Sequence, residues 1–354
     1  MAIQILTTED FLLRSQNCLV LDVRSPGEFE HAHLPGAKSI PLFSDDERAV
    51  VGTVYKQNSR EAAIKTGLDY FGPKMKEIIE EVEKLLKTGL FKDRQSVFVY
   101  CWRGGMRSAG VAWLLDLYGF KVHTMKGGYK SFRNWTLTQF EKKYPFRLIG
   151  GYTGSGKTFL LHQLIHKGYR VIDLEGLASH KGSAFGNIGM PDQPSQEMFE
   201  NILAWELFKK SDTNESIWME DESQRIGAVN IPGSLWRTML TSPVFFMEIP
   251  FEERLNFIVE EYGNLDRTRL TDAVFRIKKR LGGLEMQNAV NYLATGDIKD
   301  AFRILLKYYD KFYHKSLHKK PNWPDQVKQI LCDEVNAAQN LLTIIEQYSL
   351  KSNV

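Results

Sequence analysis

Two short segments of the sequence combine residue types that bind anions or act as nucleophiles, and the first surrounds a cysteine. It is the segment 101–108, CWRGGMRS, in which five residues separate Cys101 from Arg107. Glycines allow successive backbone N–H groups to turn toward one point and bind an anion, and nearby arginines favour the thiolate form of a cysteine. We therefore expect Cys101 to be a reactive nucleophile. The anion beside it would be bound by Arg103, Gly104, Gly105 and Arg107.

The second segment, 151–158 (GYTGSGKT), fits the P-loop pattern G-x4-G-K-[ST] and follows a strand-like apolar run. The amides of such a loop bind a diphosphate, Lys157 contacts its outer oxygens, and Thr158 is a candidate ligand for Mg²⁺. The predicted diphosphate-binding residues are Gly151, Gly154, Ser155, Gly156, Lys157 and Thr158. The pattern alone does not distinguish kinases, GTPases and diphosphate-binding transferases. We predict no tightly bound cofactor and no metal site beyond this candidate Mg²⁺ position.

Acidic and polar residues further along the chain are candidates to complete the P-loop site. A strand-like apolar run at 217–219 ends in three acids, which is the usual position of the second acidic motif of a P-loop fold. These acids are Glu220, Asp221 and Glu222, and the sequence leaves open which of them faces the ligand. A glycine-bearing loop after another predicted strand carries polar side chains that a ligand would reach. They are His180, Lys181 and Ser183.

Alternating strands and helices must position both segments. In the first region, hydrophobic periodicity predicts strands at 18–23, 96–100 and 121–125 and helices at 74–87 and 109–118. In the second region it predicts strands at 146–149, 169–174, 216–219 and 244–249 and a helix at 158–167. Beyond Phe251 the chain is predicted to be mostly helical. This alternation is typical of parallel α/β sheets.

We therefore predict an α/β chain with two parallel-sheet domains and a helical region. The first domain spans 1–138 and carries Cys101. The P-loop α/β domain spans 145–265. The mostly helical C-terminal region, 266–354, is expected to pack on the P-loop domain.

Composition and charge restrict the partners of the chain. Among 354 residues there are three cysteines, too few and too widely spaced for a disulfide framework or a zinc site. No signal peptide or membrane span is apparent, so we expect a cytoplasmic protein. The net charge is only +3, but residues 267–320 contain 13 Lys/Arg against 5 Asp/Glu, which suits a phosphate backbone. The candidate residues for contacts with such a backbone are Arg276, Lys278, Lys279, Arg280, Lys307, Lys311 and Lys315.

The first domain resembles the rhodanese family. The resemblance lies in the segments 22–26 (DVRSP), 33–37 (HLPGA) and 126–129 (KGGY) together with the loop that begins at Cys101. Two departures are Ala32, where the family usually has glycine, and the Cys-x5-Arg spacing, which is one residue longer than is typical of sulfur-carrying rhodaneses. The longer loop predicts a wider cradle, suited to a tetrahedral, phosphate-like anion.

The whole chain resembles the tRNA 2-selenouridine synthase family. The resemblance includes the segments 173–178 (DLEGLA), 180–183 (HKGS) and 220–223 (EDES), with Lys181 where arginine is expected. It implies a tRNA carrying wobble 2-thiouridine as substrate. It also implies two reactions, S-geranylation by geranyl diphosphate and then selenium transfer from selenophosphate, and the enzyme that supplies selenophosphate as a candidate partner. The prenyl chain would need an apolar groove, whose candidate walls are Trp205, Phe208, Trp218 and Trp236.

Other functions remain open on the sequence alone. The spacing Cys-x5-Arg also occurs in cysteine phosphatases, although Tyr100 stands where a phosphatase commonly has histidine, and a sulfurtransferase would use the same cysteine. A P-loop kinase or NTPase with a regulatory rhodanese domain would hydrolyse ATP or GTP without tRNA. A non-enzymatic binding module would function without Cys101.

Overall fold

The computed structural model describes residues 3–183, 185–211, 215–263, 265–318, 320 and 324–348. The chain divides into two compact units. The first comprises Met1–Gln139 with Glu200–Trp205, and the second comprises Phe140–Phe199 with Glu206–Val354. Each unit has a five-stranded parallel sheet, which confirms the predicted α/β class.

The first unit contains five strands and six helices. They are β1 (Gln4–Leu6), α1 (Thr8–Arg14), β2 (Cys18–Asp22), α2 (Pro26–His31), β3 (Lys38–Ser39), α3 (Asp45–Gln57), α4 (Arg60–Lys87), β4 (Asp93–Tyr100), α5 (Met106–Tyr118), β5 (Lys121–Met125) and α6 (Gly128–Gln139). The sheet order is β1-β5-β4-β2-β3, so β4 lies at the centre. Its last five residues are buried because both faces of a central parallel strand are covered.

The predicted elements of this unit are found, and three of them begin earlier than predicted, one by many residues. The helix predicted at 74–87 is the second half of α4, which begins at Arg60 and contains Pro73. Gly67, Gly72 and Pro73 are poor interior helix residues. For this reason the start of α4 that was predicted from local propensity is too late in the sequence. Tertiary packing outweighs propensity here: Ala63, Gly67 and Phe71 are all buried.

The second unit contains seven strands and nine helices among the described residues, and Glu200–Trp205 in the middle of one of these helices, Gln196–Lys210, belong to the first unit. The strands and helices are β6 (Phe146–Gly151), α7 (Lys157–His166), β7 (Arg170–Val171), α8 (Leu174–Leu177), α9 (Gln196–Lys210), β8 (Ile217–Glu220), β9 (Arg225–Ile226), β10 (Val229–Asn230), α10 (Gly233–Leu240), β11 (Val244–Glu248), α11 (Phe251–Tyr262), α12 (Arg267–Leu281), α13 (Gly283–Thr295), α14 (Ile298–Leu317), β12 (Val327–Leu331) and α15 (Ala337–Tyr348). The main sheet has the order β12-β11-β6-β8-β7, and β9 and β10 form a small antiparallel ribbon.

Two details of the second sheet differ from the sequence predictions. The strand predicted at 169–174 is reduced to β7, because Asp173 already caps the short helix α8 through a bond to the amide of Gly176. The region predicted to be helical beyond Phe251 also contains β12, which pairs with β11 at the sheet edge. In β12 only Ile330 is buried, and the apolar residues Val327, Ile330 and Leu331 do not alternate with polar ones as in a typical strand.

Two of the apolar clusters formed by described residues lie in the second unit. One joins the sheet to the P-loop helix α7 and to α15, and it includes Leu160, Phe245 and Ile344. The other holds α11 to α14 together around Leu255, Leu270 and Leu305. None of the helices in the described part of the chain is long and apolar enough to cross a membrane.

Candidate active sites

Cys101 lies at the carboxyl end of the central strand β4, directly before α5. Ligands of open parallel sheets bind at this edge. The cysteine side chain is 3% exposed, and its Sγ lies 3.2 Å from the hydroxyl of Ser108. The residues that follow it, from Trp102 to Met106, are exposed. The loop therefore places a buried sulfur beneath an open backbone turn.

The backbone of this loop is packed against the turn that precedes α6. The amide of Tyr129 donates to the carbonyl of Cys101 at 2.8 Å. Gly104 and Gly128 both have positive φ, 62° and 58°, and a Cβ at Gly128 would overlap the carbonyl oxygen of Cys101. Glycine is required at both positions, and the two loops hold each other in one conformation.

The two predicted anion-binding arginines of this loop are placed differently. Arg103 is exposed. Arg107 donates to both carboxylate oxygens of Glu28, at 2.6 and 3.3 Å, and Arg48 lies 3.2 Å from the same carboxylate. Burial acts to raise the pKa of Glu28, but the hydrogen bonds and charges of Arg107 and Arg48, with the amide of Ser25, outweigh it and lower the pKa to about 2.

The other two cysteines differ from Cys101 in their surroundings. Burial, reinforced by Asp333, raises the pKa of the Cys332 thiol to about 11. Burial and the charge of Asp93 also raise the pKa of Cys18. Both residues therefore stay protonated thiols at neutral pH, and neither lies in a glycine-rich loop.

The P-loop connects the central strand β6 to α7. Gly154 and Gly156 have φ of 81° and 70°, which turns the backbone around the helix N-terminus. Lys157 Nζ donates to the carbonyl of Gly151 at 3.2 Å. Ser155 is 2% exposed, and its hydroxyl oxygen has no hydrogen-bond partner among the described residues. A buried hydroxyl without a partner costs free energy, so this atom marks a position where a ligand oxygen would be accommodated.

An arginine that was not predicted from the sequence hydrogen-bonds to the backbone of the P-loop. Arg254 on α11 is 3% exposed and donates to the carbonyl of Thr153 at 3.1 Å. Its guanidinium also bonds both carboxylate oxygens of Asp310 on α14, at 2.9 and 2.7 Å. These contacts connect the loop to two helices that are distant in sequence. The sequence pattern did not indicate these contacts of Arg254.

The three acids after β8 have separate surroundings. Glu220 is fully buried and accepts a hydrogen bond from the amide of Leu174 at 2.9 Å. Burial, with the charges of Asp173 and Glu175, raises its pKa well above the usual value. Asp221 accepts from Tyr313 at 3.0 Å and from Lys320 at 2.7 Å. Of the three, Asp221 and Glu222 line the cavity beside the P-loop.

Glu222 is paired with a second carboxyl group, Glu175, that the sequence analysis did not select. Glu175 hydrogen-bonds to Glu222 and accepts from the hydroxyl of Thr158 at 3.1 Å. Burial and the charge of Glu175 raise the pKa of Glu222 to about 8, against the opposing charge of Lys157. Burial also raises the pKa of Glu175. At neutral pH Glu222 is therefore mostly protonated beside the P-loop.

The predicted polar loop contributes two of its three residues to the same cavity. Lys181 and Ser183 line it, and Lys181 Nζ lies 3.1 Å from the carboxylate of Glu261. His180 instead packs against Gly186 and Gly227, where a Cβ would come within 2.6 Å of its ring. Burial and the charge of Arg276 lower the pKa of His180.

The cavity has a volume of about 900 Å³ and two chemically different groups of lining residues. One group consists of the P-loop and the carboxyl pair. The other is apolar and consists of Phe159, Trp236, Leu240, Phe257, Phe312 and Leu317. Trp236, one of the four candidate wall residues, lines this cavity. Trp218, predicted as a candidate wall, is a core residue with 1% exposure that packs on Phe245. Trp205 and Phe208 on α9 are not among the described residues that line the cavity.

The seven candidate tRNA-binding residues lie on two helices of the second unit. Arg276, Lys278, Lys279 and Arg280 are on α12, and Lys307, Lys311 and Lys315 are on α14. All seven are exposed. Arg276 also donates to the side-chain oxygen of Asn187 at 3.3 Å. Their binding to tRNA stays a prediction.

Comparison with known proteins places both units in described families. Residues 7–134 match the "Rhodanese-like domain" family. Residues 144–329 match the family described as "tRNA 2-selenouridine synthase AAA domain". The two matches correspond to the sheet that carries Cys101 and to the sheet that carries the P-loop.

Three relatives that are similar over most of the chain share one name. A tRNA 2-selenouridine synthase of Serratia proteamaculans (strain 568) is 35% identical over 340 residues, 86% of this chain and 88% of the relative. A tRNA 2-selenouridine synthase of Pseudomonas putida (strain W619) is 37% identical over 330 residues, 83% and 87% of the two chains. One from Sulfurovum sp. (strain NBC37-1) is 33% identical over 330 residues, 84% and 88%. With both units matched and the similarity extending over most of its length, this chain belongs to the tRNA 2-selenouridine synthase family.

Proposed function

We propose that this chain converts wobble 2-thiouridine in tRNA to 2-selenouridine in two steps. In the first, the thiouridine sulfur attacks C1 of geranyl diphosphate, the C–O bond breaks, and diphosphate and the N3 proton leave. In the second, the selenium of selenophosphate bonds to C2, geranylthiol leaves, and water cleaves the Se–P bond to release phosphate. The observation that carries the proposal is the cavity of the second unit, which joins a P-loop to an apolar wall.

The P-loop part of this cavity is suited to the diphosphate group. Lys157 and the amides at the start of α7 supply positive charge and N–H donors. The hydroxyl of Ser155 is buried without a partner among the described residues, and a diphosphate oxygen is a suitable acceptor for it. Protonation of Glu222 removes one negative charge from the neighbourhood of the phosphates.

The apolar lining of the cavity is suited to a prenyl chain rather than to a nucleoside. Phe159, Trp236 and Phe257 are apolar or aromatic and line the same cavity as Lys157. The cavity volume of about 900 Å³ lies within the usual range of small-molecule sites. A ten-carbon chain gains free energy from leaving water in proportion to its apolar area.

Mg²⁺ fits the P-loop as an ion that arrives with the diphosphate. The Thr158 hydroxyl and the Glu175 carboxylate that it contacts are hard oxygen ligands of the type Mg²⁺ prefers. Among the described residues no group of three or more His, Cys, Asp or Glu side chains forms a metal site, so phosphate and water oxygens would complete the coordination. When bound, the ion would neutralise charge on the leaving diphosphate.

We assign the second step to the cysteine loop of the first unit. The open turn over Cys101, with Arg103, Gly104 and Gly105 exposed, is suited to a phosphate-like anion such as selenophosphate. Cys101 would act on selenium or on the departing geranylthiol. The enzyme that makes selenophosphate is a candidate partner for its delivery. The exposed cations of α12 and α14 are the proposed contacts with the tRNA backbone.

A product assay tests the proposal. Purified protein is incubated anaerobically with thiouridine tRNA, geranyl diphosphate, Mg²⁺ and selenophosphate, each omitted in turn, and the tRNA nucleosides are weighed by mass spectrometry. We expect selenouridine only in the complete mixture and geranylated thiouridine when selenophosphate is absent. Lys157→Ala should form neither product. Lys167→Ala, an exposed position at the end of α7, should form both.

The cysteine is tested in the same assay. Cys101→Ser should accumulate the geranylated nucleoside without selenouridine, and Cys18→Ser should behave like the wild type. Unchanged thiouridine in every reaction, with phosphate release from ATP or from an aryl phosphate, would reject the proposal in favour of an NTPase or a phosphatase.

A further inference from the structure

One aromatic residue of α14 lies at the boundary between the cavity and the surface. Tyr313 points into the unit, where its hydroxyl bonds Asp221 and the amide of Gly151. Tyr309 is half-buried and also lines the cavity. Phe312 lines the same cavity but is 41% exposed. Because its ring is half-exposed at the edge of the cavity, Phe312 is accessible to the ring of a ligand, whereas Tyr309 and Tyr313 are more buried.

The geometry of the helix places lysines on the solvent side of this ring. Residues of an α-helix are about 100° apart around its axis, so Tyr309 and Lys315 lie about 60° from Phe312 on opposite sides. Lys311 lies about 40° beyond Lys315, and both lysines are exposed. The ring therefore separates the cavity-lining face of α14 from a cationic face.

This arrangement suits a nucleotide of a single-stranded loop. Unpaired bases stack on aromatic side chains, and the phosphates on either side are bound by nearby cations. The ring of Phe312 already contacts Tyr308, with centroids 4.8 Å apart and planes at 50°, which restricts its motion and prepares a surface for stacking. The cavity beside it contains the P-loop, where the alkyl donor is proposed to bind.

We propose that Phe312 is the residue on which the acceptor pyrimidine of the tRNA stacks at the mouth of the P-loop cavity, with Lys311 and Lys315 binding the adjoining phosphates. The inference rests on the proposed function, because it places the thiouridine sulfur next to the prenyl donor. It adds a residue that selects the substrate, since an aliphatic side chain at this position would not hold the base.

Stacking is measured directly with a fluorescent base. An anticodon stem–loop carrying 2-aminopurine at the wobble position is titrated with wild-type protein, and quenching reports stacking independently of catalysis. Phe312→Ala should abolish the quenching and lower kcat/KM for thiouridine tRNA by about ten- to a hundredfold. Phe312→Trp should preserve both. The Kd of geranyl diphosphate, measured without tRNA, is determined in parallel for the same variants.

The matched control is Phe275→Ala. Phe275 lies on α12 among the other cationic residues and is 45% exposed, but it does not line the cavity. It should retain the quenching. Lys315→Ala should reduce the slope of log Kd against log salt by about one.

Two results would overturn the inference. One is quenching in Phe312→Ala that equals the wild type. The other is a weakened Kd for geranyl diphosphate in Phe312→Ala with tRNA binding intact, which would make Phe312 a wall of the prenyl site. Failure of the proposed function is a different result, namely wild-type protein that forms no alkylated tRNA, and the quenching experiment decides the inference in that case too.

Discussion

A methyl group added at Gly182 should disturb the carboxyl pair of the P-loop cavity. Gly182 has a φ of 66°, and a Cβ there would lie 2.6 Å from Glu175 Oε1 and 2.9 and 3.0 Å from the two carboxylate oxygens of Glu222. At least one carboxyl group must move, which costs about 1–3 kcal/mol if a buried hydrogen bond is lost. The positive φ adds about 1–2 kcal/mol. Gly182→Ala should therefore destabilise the second unit by about 2–5 kcal/mol.

Gly189 provides the matched control for this prediction. Its φ is 76°, close to that of Gly182, but a Cβ there would meet nothing within 4 Å. Gly189→Ala should therefore show the backbone cost alone, about 1–2 kcal/mol. The free energies of unfolding of the two variants are compared by calorimetry of the full chain, and the Kd of geranyl diphosphate is measured in parallel. Equal destabilisation of both variants, with equal Kd, would refute the reasoning that the carboxyl pair packs against Gly182.

Two further predictions concern buried ion pairs. The pKa of Glu28 is lowered from 4.5 to about 2, so its ionisation stabilises the first unit above about pH 4.5 and this contribution is lost as pH falls toward 2. Glu28→Gln should destabilise by at most about 3 kcal/mol at pH 7 and by about half of that at pH 3, as measured by thermal unfolding; a loss that is independent of pH would contradict this. Arg254→Ala leaves Asp310 without its partner and should cost about 3–5 kcal/mol. It should also weaken geranyl diphosphate binding at the P-loop, and an unchanged Kd would show that Arg254 does not position the loop.

The sequence predicted those parts of the sites that depend on local pattern. A glycine-rich loop between an apolar strand and a helix is recognisable because its glycines, its lysine and its flanking elements are contiguous. For the same reason the Cys101 loop could be placed at the end of a strand. The sheet class followed from the alternation of strands and helices.

Contacts between distant residues were beyond the reach of these patterns. Arg254 and Asp310 are 56 positions apart, and Lys320 and Asp221 are 99 positions apart. The role of Glu175 depends on two neighbouring strands ending at the same edge, since Glu222 approaches it from β8. Its motif was noted, but nothing in the sequence showed that the two carboxyl groups meet. The edge strand β12 was missed because its apolar residues, Val327, Ile330 and Leu331, have the i, i+3, i+4 spacing of a helix.

The strand order of the second sheet has a consequence for synthesis on the ribosome. The first sheet has all its strands once residue 125 has emerged, whereas the second needs β12, which ends at Leu331. Until then the nascent chain carries the P-loop on a sheet whose apolar strand β11 has an unpaired edge, and such edges promote association with other chains. Because β12 pairs with this edge only late in synthesis, we expect chaperones that bind nascent chains to bind the incomplete second unit.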